Sequence, residues 1–136
     1  MTVRSDERAL REAAFSALEQ AYAPYSQFRV GAALRSSDGA ILTGCNVENA
    51  SYPAGLCAER GAVASAVAHG HRRFDLLVIA TEAEDATPPC GYCRQVLIEF
   101  APALQIISVT RAGAEARWSL GELLPHPFTP AALTHP

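Results

Sequence analysis

Two short stretches carry residue types that can do chemistry together: Cys57-Ala58-Glu59, and further along Pro89-Cys90-Gly91-Tyr92-Cys93. Both cysteine groups fall where a helix is expected to begin. A helix start presents unpaired N–H groups and a partial positive charge, which favours the thiolate form of cysteine, and thiolate is the metal-binding form. Two such starts side by side would gather three thiolates around one Zn²⁺ and leave its fourth position open to water, as in catalytic zinc sites. Glu59, two residues past Cys57, would then take a proton from that water and pass it on. Other readings stay open on these residues alone. A C-x-x-C is also the pattern of a thioredoxin-like redox pair. Cys45 would close a purely structural zinc as fourth ligand, although that leaves Glu59 without a role and Cys45 is well explained as a small buried strand residue. His69, His71, His126 and His135 sit near expected helix ends or in the tail and read as exposed or helix-capping rather than metal-binding.

The elements that must hold these residues follow from periodicity and punctuation. Leu10, Ala13, Ala14, Ala17, Leu18 and Ala21 recur at helical spacing, with Ser5 as the expected cap and Pro24 as the stop. Phe28 to Arg35 and Ala40 to Cys45 read as a hairpin around Ser36-Ser37-Asp38-Gly39. A helix is expected from Cys57 to His69, stopped by Gly70, and its many small residues would let it lie close on a sheet. Leu76–Thr81 and Leu104–Thr110 are apolar runs typical of strands buried on both faces. A helix is expected over Gly91–Phe100, a weaker strand over Ala114–Trp118, and a capping box at Ser119-Leu120-Gly121-Glu122. The tail from Pro125 reads as irregular, with a turn at Pro130–Leu133. Strands alternating with helices imply a layered α/β domain.

Composition narrows the function classes. The chain has 136 residues, 49% hydrophobic and 18% charged, with formal net charge −3. That length and balance predict one folded domain over 1–136 and exclude a disordered chain. The absence of a basic cluster argues against a nucleic-acid partner. No apolar run approaches the roughly 20 residues that span a bilayer, and Met1–Arg11 lacks the apolar stretch of a secretory signal. The expected location is the cytoplasm, where cysteines are not paired in structural disulfides.

The combination of C-A-E-R with P-C-G-Y-C-R-Q-V is the cysteine version of the zinc nucleobase deaminase signature. The chain resembles the small homotetrameric zinc-dependent cytidine deaminases over nearly its whole length. The matching stretches are A-Y-A-P-Y-S-Q-F-R-V-G-A-A, G-C-N-V-E-N-A-S-Y-P, L-C-A-E-R, P-P-C-G-Y-C-R-Q-V and E-L-L-P-H-P-F. The resemblance implies a three-layer α/β/α sandwich with a mixed five-stranded sheet. It implies one zinc per subunit on Cys57, Cys90 and Cys93, with Glu59 as proton shuttle. It implies that Asn46 and Glu48 hold the ribose hydroxyls, that Phe28 lines the nucleoside pocket, and that the Ala58 N–H meets the pyrimidine 2-oxo group. Phe128 would reach into a neighbouring subunit's site within a homotetramer. Arg60 would stand beside the thiolates, where a guanidinium draws charge from an over-negative cluster.

The implied activity is hydrolytic deamination of cytidine and 2′-deoxycytidine in pyrimidine salvage, with no nucleic-acid or membrane partner. Two positions depart from the family pattern: Gly61 stands where Thr is frequent and Tyr92 where Ala is frequent. A bulky Tyr92 between two ligands is expected to narrow the pocket mouth or make it more aromatic. Rival readings are a deaminase of another aminopyrimidine such as blasticidin S, a polynucleotide-editing deaminase, and a zinc-stabilised binding module without catalysis.

Overall fold

The computed structural model describes residues 6–133. Helix α1 (Glu7–Leu18) leads into the hairpin β1 (Val30–Ser36) and β2 (Ile41–Cys45), then α2 (Ala58–Ala68), β3 (Phe74–Thr81), α3 (Gly91–Phe100), β4 (Gln105–Thr110), β5 (Glu115–Ser119) and the short α4 (Leu120–Leu123). Single 3₁₀ turns occupy Tyr52–Ala54 and Pro130–Leu133. The strands form one sheet in the order β2-β1-β3-β4-β5. Only β3 and β4 run parallel, joined through α3; the other pairs are antiparallel. This is the mixed five-stranded sheet that the resemblance implies.

Side chains alternate across the sheet, as the two-residue repeat of a strand requires. One face sends Ala32, Leu34, Leu77, Ile79 and Ile106 against Ala62 and Ala66 of α2 and Leu97 and Ile98 of α3. The other sends Ala33, Val78, Ala80, Ile107 and Val109 against Leu10, Ala14 and Leu18 of α1. The result is three layers, α1 on one side and α2 with α3 on the other. Each fully buried leucine here contributes about 1.5–3 kcal/mol relative to an exposed one.

Two glycines set the close approaches between layers. A Cβ on Gly31 of β1 would lie 2.0 Å from the Ala14 carbonyl oxygen, so α1 seats directly on the strand. A Cβ on Gly44 of β2 would lie 2.4 Å from both Ala58 O and Ala62 N, so β2 fixes the first turn of α2. By contrast, a Cβ on Gly61 would meet only ordinary contacts at 3.6 Å, and the threonine frequent in the family is not excluded there by backbone.

Several expected boundaries move, each for a local reason. The cap of α1 is Asp6, whose carboxylate accepts the Ala9 N–H at 2.8 Å; Ser5 and His135 lie outside the described residues. Strand β1 starts at Val30 rather than Phe28, because side chains take the backbone groups there. Phe28 N–H donates to Ser26 Oγ, the Phe28 carbonyl accepts from Asn46 Nδ2, and Val30 N–H donates to Asn46 Oδ1. The α3 limits and the capping box at Ser119 and Glu122 are as expected. Cys45 is half-buried rather than buried. His69 caps α2 through a 2.7 Å contact with the Ser65 carbonyl. Among the described residues, no helix is long and apolar enough to cross a membrane.

Register brings the chemistry to one rim. Gly31 pairs with Cys45 on one side and Ala80 on the other, and Thr81 lies between Val30 and Thr110. The end of β2, the start of β1 and the ends of β3 and β4 therefore open on the same edge. The segments leaving that edge carry Phe28, Asn46, Glu48, Cys57, Glu59 and Cys90.

Candidate active site

Cys57 is the N-cap of α2 and Cys90 the N-cap of α3, while Cys93 is buried in the first turn of α3. Their sulfur atoms all lie within 4.8 Å of one another, with Cys57–Cys90 at 3.9 Å and Cys90–Cys93 at 3.4 Å. A tetrahedral zinc with Zn–S near 2.3 Å asks for sulfur pairs about 3.8 Å apart. The donor set and its spacing fit the metal. Cys45 is not in this cluster, and burial raises its thiol pKa, so the closed four-cysteine reading is set aside.

The electrostatics of the three sulfurs point the same way. The Cys57 pKa is lowered to about 5, first by the Cys93 thiol that donates to it and then by Arg60, with burial opposing. Cys93 is pushed upward, because its proton is held by the Cys57 thiolate and because it is buried. Alone, the cluster accepts one negative charge and resists a second. A divalent cation is what such a set of thiols needs in order to ionise fully.

Glu59, in the first turn of α2, is buried, with 6% of its surface exposed. Burial is the main cause that raises its pKa to about 7; the Cys57 thiolate adds to the rise, while its own backbone N–H and Arg60 oppose it. A carboxyl poised near neutrality both takes and gives a proton.

Arg60 places Nη2 3.6 Å from Cys57 Sγ and 3.4 Å from the Gly55 carbonyl. Its Nε is buried without a hydrogen-bond partner. It is not a surface arginine. Tyr92 does not wall the cavity and so does not narrow its mouth, contrary to the expectation. It is 72% exposed, and its ring lies against the Arg60 guanidinium, 4.7 Å from carbon to centroid.

A cavity of about 210 Å³ opens beside the sulfurs, with Phe28, Asn46, Glu48, Ala58 and Glu59 in its wall together with Cys57 and Cys90. Sequence reasoning had missed Ser26, Thr81 and Thr87, which also line it; Thr81 faces it from the end of β3, and Ser26 and Thr87 because loops fold back, which no spacing signals. A larger hollow of about 310 Å³ adjoins it at Ser26 and Glu48 and is otherwise walled by Tyr25, Asn49, Tyr52 and Gly55, none of them a metal ligand. The chemistry belongs to the smaller one. Ala58 is the first residue of α2, so its N–H has no acceptor within the helix.

Asn46 and Glu48 share one extended segment, held by Val47 pairing with Leu56 and by Glu48 N–H donating to the Tyr22 carbonyl. Both also grip the loop before β1. Glu48 accepts the Tyr25 and Ser26 N–H groups at 2.9 and 3.0 Å and the Ser26 hydroxyl. Those donors hold its carboxyl below the usual carboxylate range. A carboxylate offers about four acceptor sites, so one remains for a ligand. Asn46, with one bond from its Oδ1 and one from its Nδ2, keeps one acceptor site and one N–H. Phe128 lies outside the cavity wall, 59% exposed, with its carbonyl bound by Gln95 Nε2 at 2.8 Å.

This geometry has close counterparts. A family model described as the cytidine and deoxycytidylate deaminase zinc-binding region matches residues 4–109. A cytidine deaminase of Sporosarcina psychrophila is 42% identical over 120 residues, 88% of each chain. The crystal structure of a cytidine deaminase from Burkholderia pseudomallei superposes with a TM-score of 0.87 at 47% identity, covering 91% of this chain and all of that one. That of the Mycobacterium tuberculosis cytidine deaminase gives 0.79 at 41%, covering 91% and 98%. A three-sulfur cluster at two helix starts, a buried carboxyl beside it and this extent of likeness lead to one assignment: the chain belongs to the cytidine deaminase family of zinc-binding enzymes.

Proposed function

We propose that this cytidine deaminase acts on 2′-deoxycytidine as well as cytidine, releasing ammonia and forming 2′-deoxyuridine or uridine in cytoplasmic pyrimidine salvage, with one catalytic domain over residues 1–136. The observation that carries the reading is Glu59: a buried carboxyl in the same cavity wall as two of the three clustered cysteines and the polar pair Asn46 and Glu48. Zinc on Cys57, Cys90 and Cys93 would supply a Lewis acid that lowers the pKa of water toward neutrality.

The chain's own groups do the rest. Glu59 accepts the proton of the attacking water and delivers it to N3 of the ring, which makes C4 more electrophilic. It then carries the proton of the new C4 hydroxyl to the amino group, which leaves as ammonia as the C4 carbonyl forms. The Ala58 N–H holds the 2-oxo group, Phe28 lines the base, and the free acceptor sites of Glu48 and Asn46 hold ribose hydroxyls. Arg60 offsets the negative charge of three thiolates.

The wall is incomplete in a single chain, since 210 Å³ falls below the usual size of a small-molecule pocket and the hollow beside it is open. In the proposed homotetramer, Phe128 of one subunit completes the site of another. Its exposure and its place outside its own cavity support that role over a place in its own core.

The test is substrate choice. Cytidine and 2′-deoxycytidine should give kcat/KM values within about tenfold of each other. Single-stranded oligonucleotides and blasticidin S should be turned over far more slowly. Turnover of cytidine without 2′-deoxycytidine, or faster turnover of a polynucleotide, would contradict the proposal.

A further inference from the structure

Tyr92 stands between two of the sulfur donors in sequence, yet its side chain serves the third. Cys90 and Cys93 come from the first turn of α3, and the ring between them reaches the cation beside Cys57 on α2. Arg60 needs such a partner. Among the described residues it makes no ion pair with a carboxylate, its Nε has no hydrogen-bond acceptor, and its bond to the Gly55 carbonyl, at 3.4 Å, is long. A guanidinium on a flexible stem, so weakly tethered, would otherwise trade its place for water. The ring face at 4.7 Å lies within the range of a cation–π contact and screens one side of the guanidinium.

We propose that Tyr92 is a positioning residue for the metal centre: its ring holds the Arg60 guanidinium against the Cys57 sulfur, and so favours the zinc-loaded cluster. The inference rests on the zinc reading of the three cysteines. In that reading Cys57 is a ligand, and a partner that holds a ligand in place by hydrogen bonding raises metal affinity. A cation–π contact of this exposure corresponds to about a twofold to fivefold change in an equilibrium constant.

The experiment measures zinc dissociation from the full-length loaded protein with a competing chelator, in wild type, Tyr92→Phe, Tyr92→Ala, Arg60→Ala and the double variant. Tyr92→Ala should weaken zinc binding about twofold to fivefold, and Tyr92→Phe, which keeps the ring, should match wild type. In the Arg60→Ala background the Tyr92→Ala change should have no further effect, a non-additivity that a general loss of folding would not produce. Wild-type zinc binding by Tyr92→Ala, or an equal effect in the absence of Arg60, would overturn the inference. So would dissociation of the oligomer with zinc affinity kept, which would make Tyr92 a subunit contact. Failure of the wild-type chain to bind zinc at all would instead overturn the metal reading beneath it.

Discussion

The sulfur atoms of Cys57 and Cys90 lie 3.9 Å apart although each caps a different helix on a different segment of the chain. That approach depends on Gly44, where a Cβ would strike the first turn of α2, and on the β3–α3–β4 crossover, which starts α3 at the rim where β3 ends. The relationship sets the first expectation. Each chain should carry one zinc by metal analysis, Cys90→Ala should lose it, and Cys45→Ala should keep it. Loss in Cys45→Ala would revive the structural four-cysteine site.

Replacing Glu59 by glutamine keeps the shape of the side chain and removes its proton. The variant should hold zinc and fold normally while kcat falls by at least about 10²–10⁴-fold, the size of one acid–base role, since the proposed mechanism uses Glu59 in more than one step. Activity within tenfold of wild type would show that another group moves the proton.

Cytidine 5′-monophosphate should be a poor substrate compared with cytidine. Arg29, next to Phe28, is taken: it donates two hydrogen bonds to Glu82, at 3.0 and 2.8 Å, and lies 3.6 Å from Glu19. Placing a phosphate dianion without a cation to pair it is costly. Comparable kcat/KM for nucleoside and nucleotide would refute this.

Phe128 should act in trans. Glu59→Gln and Phe128→Ala chains should each be impaired, but mixed tetramers would contain sites with an intact Glu59 and an intact Phe128 from different subunits. Activity after subunit exchange should rise above the average of the unmixed proteins. No rise after confirmed exchange, or a fully active monomer by light scattering, would rule the claim out.

Acid sensitivity has a defined source at the far side of the sheet. Glu7 of α1 meets Arg117 of β5 at 2.6 Å and Arg11, also at 2.6 Å, and Arg11 reaches Glu115 at 2.9 Å. The hydrogen bond from Arg117 and then that from Arg11 lower the Glu7 pKa against the opposing effect of burial. A depressed carboxyl stabilises the fold at pH above its ordinary value, and that contribution fades as pH falls through the lowered one. Glu7→Gln should therefore be less stable than wild type by about 0.5 kcal/mol at neutral pH, given the partial exposure of the pairs. The difference should vanish toward pH of about 3. A difference that grew on acidification would contradict this origin.

Much of this was legible in the residues because local rules and tertiary demands agree. The α3 limits follow from Pro89 before it and Pro102 after it, and the N-cap positions of Cys57 and Cys90 follow from where those helices begin. What was hidden arises where side chains displace backbone partners or meet across loops. Phe28 looked like strand, but Ser26 and Asn46 take its N–H and carbonyl. Tyr92 looked like a wall of the pocket, but the first turn of α3 points it at Arg60. Glu48 looked free for ribose, but three donors of the loop at Tyr25 and Ser26 already use it. No periodicity encodes such meetings.

The central claim, that three cysteines and Glu59 make this chain a hydrolytic zinc-dependent deaminase, is tested most directly by following ammonia release from cytidine with the zinc-loaded wild-type protein and with Glu59→Gln side by side. The account predicts that wild type forms one ammonia per uridine, that chelation abolishes turnover and zinc restores it, and that Glu59→Gln retains its zinc but is nearly inactive. A wild-type protein that holds one zinc on its three cysteines and releases no ammonia from cytidine would contradict it.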